Sequence, residues 1–300
     1  MILAKTPLRV SFFGGGTDLP SFSSIHGGIV LGATIDKFIF HTVSQFQTKM
    51  FDHSLRINYS RVEHVKNVNN LEHKPFKEIL KYCNISDGLE VHVISDLPAF
   101  TGLGSSSAFT VGLLNALFKY SKKNISTKQL ANKAIEIEQD ILKEAVGSQD
   151  QIFAAYGGFN LIKFKKNSFS VDKINLSKDR LINLNSSLIM IYTGIKRKAQ
   201  DIELDKIKNI KVIEQNLLKI KGYAENAFEI LVNNDSLDDF GRLLNKTWIE
   251  KKKLSPSVSN RQIDELYEFA INSGALGGKL LGAGGGGFFL FYVPKNQQLN

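Results

Sequence analysis

The chain has 300 residues, 43% of them hydrophobic and 22% charged, with a formal net charge of +9. Apolar segments recur along its whole length and the mean hydropathy is −0.10, which excludes an intrinsically disordered chain and fits one large or two medium domains. The lone cysteine, Cys83, excludes an intrachain disulfide and a cysteine zinc site, while the basic balance favours anionic partners such as nucleotides or sugar phosphates.

The first part reads as strand-rich. Residues 8–13, 28–35 and 38–44 carry β-branched and aromatic side chains between glycines. A short helix is predicted over 75–82 and a strand over 89–95. A glycine-serine loop follows at 98–108, then a helix over 109–120 with apolar residues at helical spacing. A second helix is predicted over 127–144, capped by Ser126 or Thr127, and a third opens near Asp150. Residues 163–178 are polar and lysine-rich, which places a domain boundary near 165 and predicts two α+β domains, 1–165 and 166–300. In the second, a strand is predicted over 187–192, helices over 202–220, 223–232, 237–250 and 262–272, and a strand over 288–293. No apolar run is long enough to span a bilayer, and the N-terminus lacks the basic start and apolar core of a secretory signal. The expectation is therefore a cytoplasmic protein with no membrane partner.

Four elements carry chemistry. Gly102-Leu103-Gly104-Ser105-Ser106-Ser107-Ala108 follows a strand and opens a helix. Its glycines let backbone N–H groups approach a phosphate, the helix N-terminus adds unpaired donors, and serine hydroxyls offer oxygen to Mg²⁺. No Gly-Lys-Ser/Thr follows, so it is not a Walker A loop. Gly282-Ala283-Gly284-Gly285-Gly286-Gly287 matches G-x-G-x-x-G in spacing, but a strand follows it where a dinucleotide site needs a helix. It reads as backbone packed tightly against a ligand, with a strained hairpin as the plain alternative. Arg9 lies in an apolar strand that leads into Gly14-Gly15-Gly16-Thr17-Asp18, so it should face a cleft or a partner charge. Glu138 and Asp150 taken singly read as helix caps or surface ion pairs. The lysine clusters at 122–123, 165–166, 196–198 and 251–253 read by default as solvated faces.

Together these elements resemble the GHMP kinases, the family of galactokinase, homoserine kinase and mevalonate kinase. The resemblance covers nearly the whole chain and rests on three motifs in order: 6–18, 98–108 and 278–287. Within the family, Phe13-Gly14-Gly15-Gly16-Thr17-Asp18, Gly147-Ser148-Gln149-Asp150-Gln151 and 277–284 are similar to segments of bacterial kinases of D-glycero-α-D-manno-heptose 7-phosphate.

The resemblance implies an ATP-dependent, Mg²⁺-dependent phosphotransferase. Its N-terminal domain would be like ribosomal S5 domain 2 and its C-terminal domain ferredoxin-like, with the active site between them. The backbone and hydroxyls of Gly102, Leu103, Gly104, Ser105, Ser106 and Ser107 would hold the triphosphate. Ser106 and Glu138 match the metal-binding pair, Asp150 the catalytic aspartate and Arg9 the basic residue beside it. Thr17, Asp18 and the turn Gly15-Gly16 would meet the sugar. Galactokinases place Glu-His where Gly15-Gly16 stands here, so the turn points to a larger sugar. Lys196, Arg197 or Lys279 would hold a phosphate already on the substrate, with Gly284 and Gly285 forming the facing wall. The family pattern continues past the last strand, so a shortened C-terminal end is expected. The competing readings are another sugar 1-kinase, for fucose or a hexuronic acid, and a non-catalytic sugar sensor. Nucleic-acid binding is not expected, because the lysines are scattered and no basic-aromatic stripe occurs. Oligomeric state is left open.

Overall fold

The computed structural model describes residues 1–196, 199–233 and 235–298. The first part comprises β1 (Ile2–Phe13), α1 (Pro20–His26), β2 (Gly28–Gln45), β3 (Leu55–Asn58), β4 (Val62–Val65), α2 (Lys74–Tyr82), β5 (Leu89–Ser95), α3 (Ser105–Tyr120), α4 (Thr127–Glu136), α5 (Gln149–Tyr156), β6 (Phe159–Lys165) and β7 (Ser168–Lys173). The second comprises α6 (Lys178–Ser186), β8 (Leu188–Tyr192), α7 (Ala199–Lys208), α8 (Ile210–Val232), α9 (Leu237–Lys252), α10 (Arg261–Asn272), β9 (Gly277–Leu280) and β10 (Phe288–Tyr292). The chain is an α+β protein. The first part forms a sheet in the order β4-β3-β5-β2-β6-β7, with β1 also paired to β2, and the second a sheet in the order β8-β10-β9. None of the described helices is long and apolar enough to cross a membrane.

Several expectations change. The two strands predicted over 28–35 and 38–44 are one, β2. Its first half pairs with β6 and its second half with β5. Asp36 and Lys37, which read as a break, are exposed residues between those two pairings. Most of the polar stretch 163–178, where the domain boundary is expected, is sheet. Lys163 and Lys165 lie in β6, which forms a hairpin with β7 and extends the first sheet to Lys173. A division at 165 would cut that hairpin, so the boundary proposed on this topology lies after Lys173. The helix predicted over 127–144 is α-helical only to Glu136, where a π turn (Ile137–Ile141) takes over. The helix predicted over 202–220 is two: α7 ends at Lys208, and α8 runs on through the separately predicted 223–232.

The two parts share one core. Leu8, Val10, Phe12 and Phe13 of β1 are buried together with Leu113, Leu114 and Leu117 of α3 and Phe240 of α9. Phe13 meets Phe240 edge-on at 4.9 Å. This core fixes β1, and with it Arg9, between the halves. Register irregularities between Pro7 and Arg9 and between Ser11 and Phe13 bracket that arginine; such irregularities re-aim side chains beside functional sites.

His41 on β2 is fully buried against Phe109, and neither ring nitrogen has a hydrogen-bond partner. Burial pushes its pKa from 6.5 down to about 3. Below 6.5 the unfolded chain takes up a proton that the folded chain refuses. The associated stability is therefore complete above 6.5 and falls by about 1.4 kcal/mol per pH unit as pH drops towards 3. Urea midpoints measured from pH 7 to pH 4 should fall less steeply in His41→Leu than in the parent. Identical slopes would remove His41 as the cause.

Candidate active site

A cavity of about 350 Å³ lies between the two parts. Its lining includes Arg9, Gly15, Gly16, Asp18, Gly102, Gly104, Ser105, Ser106, Ser107, Asp150, Lys279 and Gly284. The expected motifs thus converge on one cleft. At its floor Arg9 grips Asp150 with both prongs: Nε donates to Oδ1 at 2.7 Å and Nη2 to Oδ2 at 2.6 Å. Arg9 Nη1 donates to the Gly102 carbonyl at 2.6 Å. One side chain therefore ties the β1 strand, the glycine-serine loop and the first turn of α5. Guanidinium is a planar fork with five N–H groups, so this geometry still leaves donors for a ligand. Asp150 keeps lone pairs on both oxygens, and its side chain is 25% exposed to the cavity.

The glycine-serine loop opens α3. Gly104 caps that helix in a left-handed conformation and no acidic side chain stands in the first turn, so its unpaired N–H groups form an anion site. The expected residues divide in role. Leu103 is fully buried, so it serves the loop through its backbone, and its carbonyl accepts from Arg9 N at 3.0 Å. Ser105 and Ser106 face the cleft, with Ser106 exposed. Ser107 turns inward and donates to Glu138 Oε2 at 2.8 Å, where Gln151 Nε2 also donates at 2.5 Å.

Glu138 sits in the π turn, which swings it off the α4 line into the space behind the loop. Its other oxygen, Oε1, is buried without a partner. Burial pushes its carboxyl up to about 7. Glu138 does not line the cavity, the loop hydroxyl bonded to it is that of Ser107 and not of the expected Ser106, and the Thr110 hydroxyl also lowers its pKa. Among the described residues no group of three acidic, histidine or cysteine side chains could hold a metal by itself. A Mg²⁺ ion here would have to draw most of its ligands from phosphate oxygens and water.

The acceptor turn differs from expectation at Thr17. Its side chain is fully buried and its hydroxyl is engaged by Gly14 O, Ile29 O and Ile29 N. It holds the turn and does not reach the cleft. Asp18 does line the cleft. Its Oδ1 accepts from Gly16 N at 3.0 Å and Gln149 Nε2 at 2.9 Å, and its Oδ2 from Gln149 N at 3.0 Å. Burial pushes its carboxyl up to about 6, against the lowering effect of the Gln149 N–H. Three hydrogen bonds leave room for about one more on this carboxylate. Ser11 Oγ and Gln149 Oε1 are buried without partners next to Gly15. Neither had been singled out, and both suit sugar hydroxyls.

The run at 282–287 packs on protein. A Cβ on Gly282 would lie 2.7 Å from Gly102 Cα, and one on Gly102 would lie 2.6 Å from Leu281 O. The two glycine loops therefore close on each other, and only glycine permits that distance. Gly284 faces the cavity, but Gly285 does not line it and donates its N–H to Val258 O at 2.8 Å. Lys196 is exposed, away from the cavity lining, and Arg197 lies outside the described residues. Lys279 is in place, buried, with Nζ donating to Ser11 O at 3.0 Å. Lys206 and Lys251 line the cavity beside it. Lys251 had read as part of a solvated cluster. Nothing local marks it, because its partners, the carbonyls of Leu280 and Gly282, come from a distant strand and loop.

The sequence matches two family models, GHMP kinases N terminal domain over residues 55–158 and GHMP kinases C terminal over residues 228–299. The chain belongs to the GHMP kinase family. It is 31% identical over 320 residues to the D-glycero-alpha-D-manno-heptose 7-phosphate kinase of Campylobacter jejuni, covering 100% of this chain and 91% of that one. A bifunctional fucokinase/GDP-fucose pyrophosphorylase of Arabidopsis thaliana is 28% identical across 98% of this chain, which spans 30% of that longer protein. A crystal structure described as a D-glycero-D-manno-heptose 1-phosphate kinase from Bacteroides thetaiotaomicron superposes with a TM-score of 0.80 at 25% identity, covering 100% of this chain and 90% of that one. This GHMP family member is accordingly a kinase, a phosphotransferase, with the two-part family fold.

Proposed function

We propose that this kinase transfers the γ-phosphoryl group of ATP to the anomeric hydroxyl of D-glycero-α-D-manno-heptose 7-phosphate. The product would be the 1,7-bisphosphate, a precursor of nucleotide-activated heptose for surface glycan. The observation that carries the reading is the Arg9–Asp150 fork, set between the glycine-serine loop and the Gly15-Gly16 turn. Phosphoryl transfer depends mainly on positioning and on neutralising charge. The loop Gly102–Ser107 holds the triphosphate with backbone N–H groups. Glu138 and Ser106 would hold Mg²⁺, which would supply positive charge to offset that of the phosphates. Asp150 accepts a hydrogen bond from the anomeric hydroxyl. That oxygen bonds to the γ-phosphorus as the bridging P–O bond breaks, ADP departs and the hydroxyl proton passes to Asp150. The remaining N–H groups of Arg9 stabilise the transferring group. Asp18, Ser11 and Gln149 orient the sugar.

L-Fucose is the second candidate, since the Arabidopsis relative bears that activity in its name. A panel of D-glycero-α-D-manno-heptose 7-phosphate, the free heptose, L-fucose, galactose, glucuronic acid and mevalonate, followed by coupled ADP release, separates these. The heptose phosphate is expected to give the highest kcat/KM. Preference for L-fucose or mevalonate would overturn the proposal.

A further inference from the structure

Three lysines converge on the cleft, two of them outside the family motifs. Lys206 of α7, Lys251 of α9 and Lys279 of β9 are 2%, 5% and 3% exposed, yet all three line the cavity. Each ammonium is held in place. Lys206 Nζ lies 2.9 Å from Glu203 Oε1 and donates to Ala283 O at 3.1 Å. Lys251 Nζ donates to Leu280 O and Gly282 O at 2.6 Å each. Lys279 Nζ donates to Ser11 O at 3.0 Å. An ammonium has three N–H groups, so each keeps at least one without an acceptor among the described residues.

Direct ion pairing of the three lysines is sparse, although Asp18, Asp150 and Glu203 also line the cavity. Among the described residues, Glu203 is the one carboxylate paired with any of these three ammonium groups. Burial first, then the charge of Arg9 and neighbouring lysines, pushes Lys279 down to about 7 against the effect of Asp18, and Lys251 well below the ordinary lysine range against that of Glu203. Burying like charges side by side is unfavourable unless an anion joins them. None of the three lysines hydrogen-bonds to residues 102–107. They anchor instead to Ser11, two residues from Arg9 on β1, and to the 280–283 wall. Lys251 is also close in sequence to Leu254, whose side chain would lie 3.8 Å from a Cβ on Gly16 of the acceptor turn.

We infer that Lys206, Lys251 and Lys279 form an anion site on the 280–283 wall that takes a phosphate group already carried by the acceptor. The inference rests on the sugar-kinase reading above and adds the residues that make the substrate a sugar phosphate. Each ammonium contributes one or more charge-assisted hydrogen bonds to phosphate oxygens. Glu203 holds Lys206 in position and itself lines the cavity.

The test compares kcat/KM for heptose 7-phosphate with kcat/KM for free heptose, in the parent and in Lys206→Met, Lys251→Met and Lys279→Met. Methionine keeps the length of the aliphatic stem. The ratio of the two kcat/KM values is expected to fall roughly 10- to 100-fold for each lysine removed, the strength of one charge-assisted hydrogen bond. Thermal unfolding of each variant accompanies the assay. If a variant does not fold, the parent still decides: inorganic phosphate should compete with heptose 7-phosphate and not with ATP. An unchanged ratio in folded variants, equal use of both sugars by the parent, or competition by phosphate against ATP alone would each overturn the site. Turnover of neither sugar would defeat the sugar-kinase reading instead. The lysine site would then stand or fall on calorimetric binding of inorganic phosphate, which the Lys206→Met/Lys251→Met double variant should lose.

Discussion

Asp150→Asn is expected to lower kcat by about 10²–10⁴-fold, the usual contribution of a positioned general base, while KM for ATP changes little. Asparagine fills the same volume but presents one amide N–H₂ to a guanidinium that donates to both oxygens of the aspartate. One donor must then face another, so the fork opens and the acceptor hydroxyl loses its base. Arg9→Lys should be damaging for the complementary reason. An ammonium has no planar fork and cannot bind Asp150 and the Gly102 carbonyl in this geometry. Because the two residues act as a unit, the double variant should be little worse than Asp150→Asn alone. Single-turnover rates with saturating ATP and acceptor check this. A double variant whose loss equals the product of the two single losses would mean that the residues act independently, and a mild Asp150→Asn would move the base elsewhere.

Arg9 and Asp150 lie 141 residues apart; an arginine in an apolar strand called for a partner, but only the family resemblance named Asp150 as that partner. The phosphate loop was legible locally, since glycines and serines at a strand-to-helix junction have few other uses. What stayed hidden was set by long-range packing. Lys251 and its neighbours Lys252 and Lys253 look alike in sequence, but only Lys251 is turned into the core of the cleft by α9. Thr17 looks like a sugar ligand beside Asp18, yet strand β2 claims its hydroxyl. The π turn at Glu138 has no residue signature, so the α4 pattern read straight through it. The β6–β7 hairpin was misread because its lysines alternate with residues that sit against the sheet, and composition alone does not separate an edge hairpin from a linker.

Gly147 marks the point where the acceptor turn and the base are joined. A Cβ there would lie 1.9 Å from Asp18 Oδ2 and 2.6 Å from its carboxyl carbon. That carboxylate cannot swing aside cheaply, because three hydrogen bonds from Gly16 and Gln149 hold it. The next residue but two is Asp150, so a shift that relieves the clash is passed along the first turn of α5 to the base. Gly147→Ala should therefore destabilise the fold by about 1–3 kcal/mol, as overpacking does, and should lower kcat by roughly 100-fold, the penalty for moving a catalytic group by about 1 Å. Asp18→Asn in the same background relieves charge but not volume and should not restore activity. Asp18→Ala opens space for the new methyl group, so the double variant Gly147→Ala/Asp18→Ala should regain stability relative to Gly147→Ala while remaining slow on the sugar. Denaturant midpoints and kcat measured on the four chains separate the two effects. Full activity in Gly147→Ala would mean that the Asp18–Gln149 clamp does not position Asp150.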